Sequence, residues 1–157
     1  MGARMNLTFQ AEPFAAWHRQ AIPHMEAHWR EIALYQDRFP LNPDWDRGLA
    51  LEKSGQLAAY TARDEAHYLQ GYAVFFILRH AHYLDCLLAS SDLFYLTPDH
   101  RRGSAGARFL KFCDAHLAEV WHVDRIIHRV KAAHDWSPIL THMGYAESER
   151  VFEKLVN

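Results

Sequence analysis

Only two cysteines occur, Cys86 and Cys113, too few for a disulfide framework or a cysteine-based metal knuckle. No apolar run reaches the roughly 20 residues that span a bilayer, and the first residues lack the apolar core of a secretory signal. Neither charge sign dominates: a formal net charge of −2 argues against a surface that coats nucleic acid. Among seven glycines none forms Gly-x-Gly-x-x-Gly, and no Gly-Lys-Ser/Thr ending follows, so neither a dinucleotide fingerprint nor a nucleotide P-loop is present. There is no internal repeat and no low-complexity tract. The expectation is a cytoplasmic protein with neither a nucleic-acid nor a membrane partner.

Half the residues are hydrophobic and 23% are charged, an ordinary globular composition, and residues 1–157 suit one domain with a real core. Leu7-Thr8-Phe9 reads as an extended lead-in or edge strand. From about Phe14 to Phe39 the pattern is helical and restarts at Pro23, with Met25, Trp29 and Ile32 on one face and Leu34 or Tyr35 extending it. Pro40 to Asp44 is a loop, and a short helix from Trp45 to Lys53 ends at Ser54-Gly55. Gln56 to Ala62 and Leu69 to Arg79 form a hairpin, the second arm apolar enough to lie at a sheet centre. His80 to Ser91 fits either a helical turn or a strand leading into Leu93 to Pro98. Val123 to Ala132 and Tyr145 to Val156 are read as further strands, with a short helix between His134 and Met143. The predicted class is α/β (α+β): a mixed, mostly antiparallel sheet with helices on both faces.

One stretch carries the chemistry. Leu93-Phe94-Tyr95-Leu96 is apolar and strand-like, and Pro98 stops it because proline has no N–H for the ladder. Arg101-Arg102-Gly103-Ser104-Ala105-Gly106 then forms a basic turn of small residues. Leu110, Cys113, Leu117 and Val120 follow at helical spacing. Small residues let an anion approach the main chain, and the new helix turns its bare N–H groups and positive end toward it. Arg101 and Arg102 are expected to add charge-assisted donors. The plain alternative is a solvated turn with two surface arginines.

This segment resembles motif A of the GNAT acyl-coenzyme A N-acyltransferases, in which Gln/Arg-x-x-Gly-x-Gly/Ala follows a strand ending in proline. Arg101 takes the first place, Gly106 the last, and Ser104 stands where the first glycine is usual. Gly71-Tyr72-Ala73-Val74-Phe75-Phe76 resembles the family's central strand, and Leu140-Thr141-His142-Met143-Gly144-Tyr145 its helix–glycine–aromatic ending. The resemblance covers roughly residues 10 to 157 and is nearest to small stand-alone bacterial or phage-type members. It implies a sheet whose central strands splay, near Pro98 on one side and Ala132-Ala133-His134 on the other. Acetyl-coenzyme A would enter there, meeting Phe94, Tyr95, Leu96, the Arg101 to Gly106 turn and His134. It further implies transfer of an acetyl group to a small-molecule or peptide amine by direct attack, without a metal. The acid of such enzymes is usually a tyrosine four residues before the C-terminal glycine. Here that position is Leu140, so water, another residue such as His134, or no acid at all must serve.

Twelve histidines offer bases, since imidazole titrates near neutrality. His82, beside His80 at the start of the strand that enters the site, is the first candidate, and Glu31 the second. The resemblance also implies that the first helices and their loop form one wall of the acceptor groove, which makes Trp29, Glu31, Tyr35 and Trp45 candidates there, although such aromatics more often serve as core. His24 and His28 have the i, i+4 spacing of a helical metal pair, but no third ligand or HExxH-type glutamate accompanies them. Two other functions compete with transfer: a catalytically silent acyl-coenzyme A binding module, for which Leu140 speaks, and an interaction domain that forms a homodimer through its aromatic strands.

Overall fold

The computed structural model describes residues 6–156 of the chain, so expectations for residues 1–5 lie outside the described residues. Among the described residues five strands lie in sequence order: β1 (Thr8–Ala11), β2 (Leu57–Arg63), β3 (Leu69–His80), β4 (Tyr83–Leu96) and β5 (Arg125–Ile127). The first three pairings are antiparallel, and β5 runs parallel to β4. The helices are α1 (Phe14–Trp17), α2 (Ile22–Ile32), α3 (Trp45–Lys53), α4 (Ala105–Glu119) and α5 (Ser137–His142). No helix among the described residues is long and apolar enough to cross a membrane.

Period-2 alternation divides the sheet into two buried faces. Ala58, Tyr60, Ala73, Phe75 and Ala89 pack toward α4 through Phe109, Cys113 and Leu117. Leu57, Tyr72, Val74 and Tyr95 face the other way, against Phe14 and Trp17 of α1 and Met25 of α2. In β4 the alternation changes phase. Ser91 pairs with Phe75 and Leu93 with Val74, so Asp92 is one extra residue without a partner in β3. This bulge returns Phe94 and Leu96 to the α4 face and sends Leu93 and Tyr95 to the other. Where β4 ends, Gly71 of β3 lets it come close: a Cβ there would lie 2.4 Å from Leu96 Cδ2 and 2.6 Å from the Tyr95 carbonyl oxygen.

Three expectations fail, each for a local reason. The predicted long helix ends at Ile32. Tyr35 takes φ +57°, and Gln36 Nε2 donates to the carbonyls of Trp29, Arg30 and Ala33 (3.4, 3.1 and 3.1 Å). That cap closes α2 and turns residues 34–41 back along it. The strand predicted over Val123 to Ala132 survives only at Arg125–Ile127. Beyond it the His128 ring packs edge-on against Phe75, Phe94 and Trp136, and Arg129 Nη1 donates to Ser90 Oγ (2.6 Å), a side-chain bond in place of further ladder pairing. Tyr145 to Val156 is not a strand. The three-residue β5 leaves too short an edge for it to pair with, so Val151, Phe152 and Val156 stay exposed.

Candidate active site

Beyond Ser90 the β4–β5 ladder stops, while β4 itself runs on to Leu96. The outer edge of Ser91 to Leu96 therefore has no strand partner among the described residues, and the cleft beside it has a volume of about 190 Å³. On one side Phe94 stacks on Trp136 (centroids 5.3 Å, planes 13° apart). On the other, Tyr95 stacks on Tyr72 (5.3 Å) and meets the tilted ring of His28 (4.9 Å). His134, at a turn closed by its N–H to the Lys131 carbonyl (3.0 Å), lines the mouth.

Pro98 begins a short 3₁₀ turn (Pro98–His100) and α4 starts at Ala105. Between them Gly103 takes φ +74°, the left-handed conformation that glycine adopts without strain. Ser104 keeps φ −97°, so a serine costs nothing at that place in the turn. The backbone N–H groups of residues 102–107 donate to no acceptor among the described residues, and no side chain caps α4. A Cβ on Gly106 would meet only Leu96 Cδ1, at 4.0 Å. The result is an open concavity of bare N–H groups at the positive end of a 15-residue helix.

Arg101 behaves otherwise than its place in the sequence suggests. Its Nε donates to the Leu96 carbonyl (2.8 Å), its Nη2 to both oxygens of Glu31 (3.0 and 2.9 Å), and its guanidinium lies 5.2 Å from the Tyr95 ring centre. It is a strut tying α2 to the end of β4, with Nε and Nη2 engaged away from the turn. Arg102 remains exposed. Glu31 reaches the cleft, but with both oxygens engaged it is poorly placed to take a proton. His82 lies elsewhere. It sits in the β3–β4 turn, its N–H donating to His80 Nδ1 (3.1 Å), and the run of β4 from Tyr83 to Asp92 separates it from the cleft by on the order of 30 Å. Of the expected site residues, the cleft gathers Glu31, Phe94, Tyr95, Leu96, Arg101, Gly106 and His134.

Two further cleft residues, not among the expected site residues, bear on the chemistry. Asp92, presented by the bulge, lines the cleft with its side chain still partly open to water. Desolvation there pushes its carboxyl up, against the opposing pull of Arg47. A bulge next to a site re-aims a side chain in this way. His28 is buried where the cleft meets a second cavity of about 460 Å³. Burial lowers its pKa to about 4, so it is a neutral imidazole at pH 7. The second cavity is walled by Trp29 and Tyr35, as the sequence suggests for an acceptor wall, whereas Trp45 packs instead against Phe14 and His18.

His128 is a comparable case outside the cleft. Both ring nitrogens are buried without a partner among the described residues, and burial lowers its pKa to about 4. A histidine with a folded pKa below its ordinary 6.5 binds protons more readily when unfolded, so stability falls as pH drops from about 6.5 toward 4. His128→Phe keeps the aromatic shape and removes the unsatisfied groups. It should raise stability by about 1 kcal/mol at pH 7 and lessen the loss on acidification. Melting curves at pH 7.5 and 5 check this, and a variant that loses as much as the wild type between them would refute it.

No protein-family model matches the chain, and no curated protein does. Solved structures do. A GCN5-related N-acetyltransferase from Ralstonia eutropha superposes with a TM-score of 0.72 at 15% identity, over 96% of this chain and 99% of that one. An aminoglycoside acetyltransferase from an uncultured soil metagenomic sample, solved with sisomicin, gives 0.71 at 14% identity, over 98% and 97%. A predicted acetyltransferase from Clostridium acetobutylicum, solved with acetyl-coenzyme A, gives 0.68 at 11%, over 96% of each chain. The fold is the GNAT fold, and the likeness extends over nearly the whole chain.

Proposed function

We propose that the protein transfers an acetyl group from acetyl-coenzyme A to a primary amine, both substrates being bound together. The observation that carries this reading is the parting of β4 from β5. It leaves an unpaired strand edge that leads from the bare N–H turn at one end to the second cavity, through the shared residues His28, Ile32 and Lys131. The residues fit the nucleotide: the N–H groups of residues 102–107 suit its pyrophosphate, and Gly106 leaves room for close approach. Acetyl-coenzyme A supplies an acetyl group already activated as a thioester.

The chain's own residues do the rest. The free edge of Phe94 to Leu96 holds the extended arm as a further strand would, and an N–H on it polarises the thioester carbonyl. Asp92 takes the proton of the amine, directly or through water, as the C–N bond forms and the C–S bond breaks. Leu140 is buried in α5, and the Tyr145 hydroxyl is held by Asp114 (2.7 Å), so neither offers an acid. None is required: a thiol of pKa near 8.5 leaves as thiolate and takes its proton from solvent. Arg101 and Glu31 position α2 against β4.

Titration calorimetry with acetyl-coenzyme A, followed by free-thiol release over a panel of amines, tests the reading. Saturable binding with amine-dependent thiol release is expected. Binding without release from any amine would favour the silent binding module that Leu140 suggests. No binding at all would overturn both and leave an interaction domain.

A further inference from the structure

Resting on that reading, we propose that the acceptor is a monoamine with an aromatic or branched apolar body, and that the site rejects polyamines and aminoglycosides. The juxtaposition behind this is a 460 Å³ cavity walled by apolar side chains that opens onto the cleft beside β4. Met25, Trp29 and Ile32 of α2 form one wall, and Tyr35, Phe39 and Leu41 of the folded-back segment form the other. Phe39 is 55% exposed, Tyr35 38% and Leu41 37%, yet their exposed surface faces a concavity. Apolar surface gathered in a cavity of this size is how a protein recognises an apolar body.

The polar groups are few and placed to orient a single amine. At the junction His28 is buried and neutral, able to accept an N–H. Tyr72, a fully buried side chain that lines the same cavity, leaves its hydroxyl without a hydrogen-bond partner among the described residues. Charge decides the rest. Lys131, Lys154 and Glu153 line the cavity, and none has an ion-pair partner among the described residues. Glu31 is already paired with Arg101. A second or third ammonium would thus meet two lysines and a single free carboxylate, and the hydroxyls of an aminoglycoside would lie unpaired against aromatic rings.

The test compares 2-phenylethylamine, isoamylamine, ethanolamine, spermidine and sisomicin with acetyl-coenzyme A saturating. It reads kcat/KM from thiol release and, separately, equilibrium binding of each amine from the quenching of tryptophan fluorescence. The two apolar amines should exceed ethanolamine by at least about 30-fold, from burial of their carbon bodies. Spermidine and sisomicin should fall at or below ethanolamine. Phe39→Glu should cut 2-phenylethylamine by about tenfold or more and raise spermidine, while acetyl-coenzyme A affinity holds. Turnover or binding of spermidine or sisomicin equal to that of 2-phenylethylamine would overturn the proposal. The binding arm decides the acceptor class even where no thiol is released, so failure of the transferase reading and failure of this one give different results.

Discussion

Asp92→Asn is expected to lower the rate of acetyl transfer by about 10²–10⁴-fold while acetyl-coenzyme A affinity changes little, because general-base assistance is typically worth that range. Asparagine keeps the size and the hydrogen-bonding edge but cannot take a proton. Desolvation raises the Asp92 carboxyl above the usual carboxylate range, nearer the pH at which a base is useful. The base form is the ionised one, so wild-type turnover should fall as pH drops through this raised pKa. The variant should lose that acid limb. Stability should move the other way. A carboxyl whose folded pKa exceeds its unfolded value binds its proton more tightly when folded, so stability falls as pH rises through that window. At pH 7 the ionised Asp92 therefore opposes folding, and Asp92→Asn should melt at a higher temperature than the wild type. Lower turnover together with higher stability separates a base from a residue that merely supports the fold. A variant with near-normal turnover from pH 6 to 9 would remove Asp92 from the mechanism.

Much of this site is local in sequence, and that part could be read directly. Pro98 as a strand stop, the small residues from Gly103 to Gly106 and the apolar period of α4 lie within one stretch, and each acts on its immediate neighbours. The unpaired β4 edge was also legible in outline, from the resemblance and the break at Pro98. What escaped depends on contacts distant in the chain. His28 has His24 one turn before it and so reads as half of a metal pair, but its environment is Tyr95 and Tyr72, far along the sequence. Arg101 reads as a phosphate ligand until Glu31, 70 residues away, takes its guanidinium. His82 precedes the right strand, yet β4 is 14 residues long and the cleft lies at its other end.

Asp92 is the instructive omission. Leu87 and Ala89 lie on the α4 face, and so do Phe94 and Leu96. The apolar positions therefore change from odd to even between Ala89 and Phe94. That switch is the trace of a bulge, and the polar pair Ser91-Asp92 at the switch marks the residue it re-aims. The final segment fails for the opposite reason. Val151, Phe152, Leu155 and Val156 have strand composition, but a strand needs an edge, and whether one is free is a property of the whole sheet.

Gly106→Val should weaken acetyl-coenzyme A by about 10²-fold or more without disturbing the fold. The expectation follows from the geometry of the turn. Gly106 lies in the first turn of α4 and lines the cleft, and a Cβ there meets nothing closer than Leu96 Cδ1 at 4.0 Å. A single methyl therefore fits, and Gly106→Ala should bind nearly as the wild type does and stabilise the helix slightly. Valine adds two methyl groups on a stiff β-branched stem where a phosphate would approach the N–H groups of residues 102–107. Holding the anion back from two charge-assisted hydrogen bonds, at about 1.5–3 kcal/mol each, accounts for a loss of that order or larger. Arg102→Ala, by contrast, removes an exposed side chain that the bare turn does not depend on, and should cost less than tenfold. Calorimetry on the three variants, with circular dichroism to verify the helix, reads the series. An ordering of Ala near wild type, then Arg102→Ala, then Val far weaker supports main-chain recognition. If Arg102→Ala abolishes binding and Gly106→Val leaves it intact, the anion is held by a side chain, and the bare N–H groups at the start of α4 are not its site.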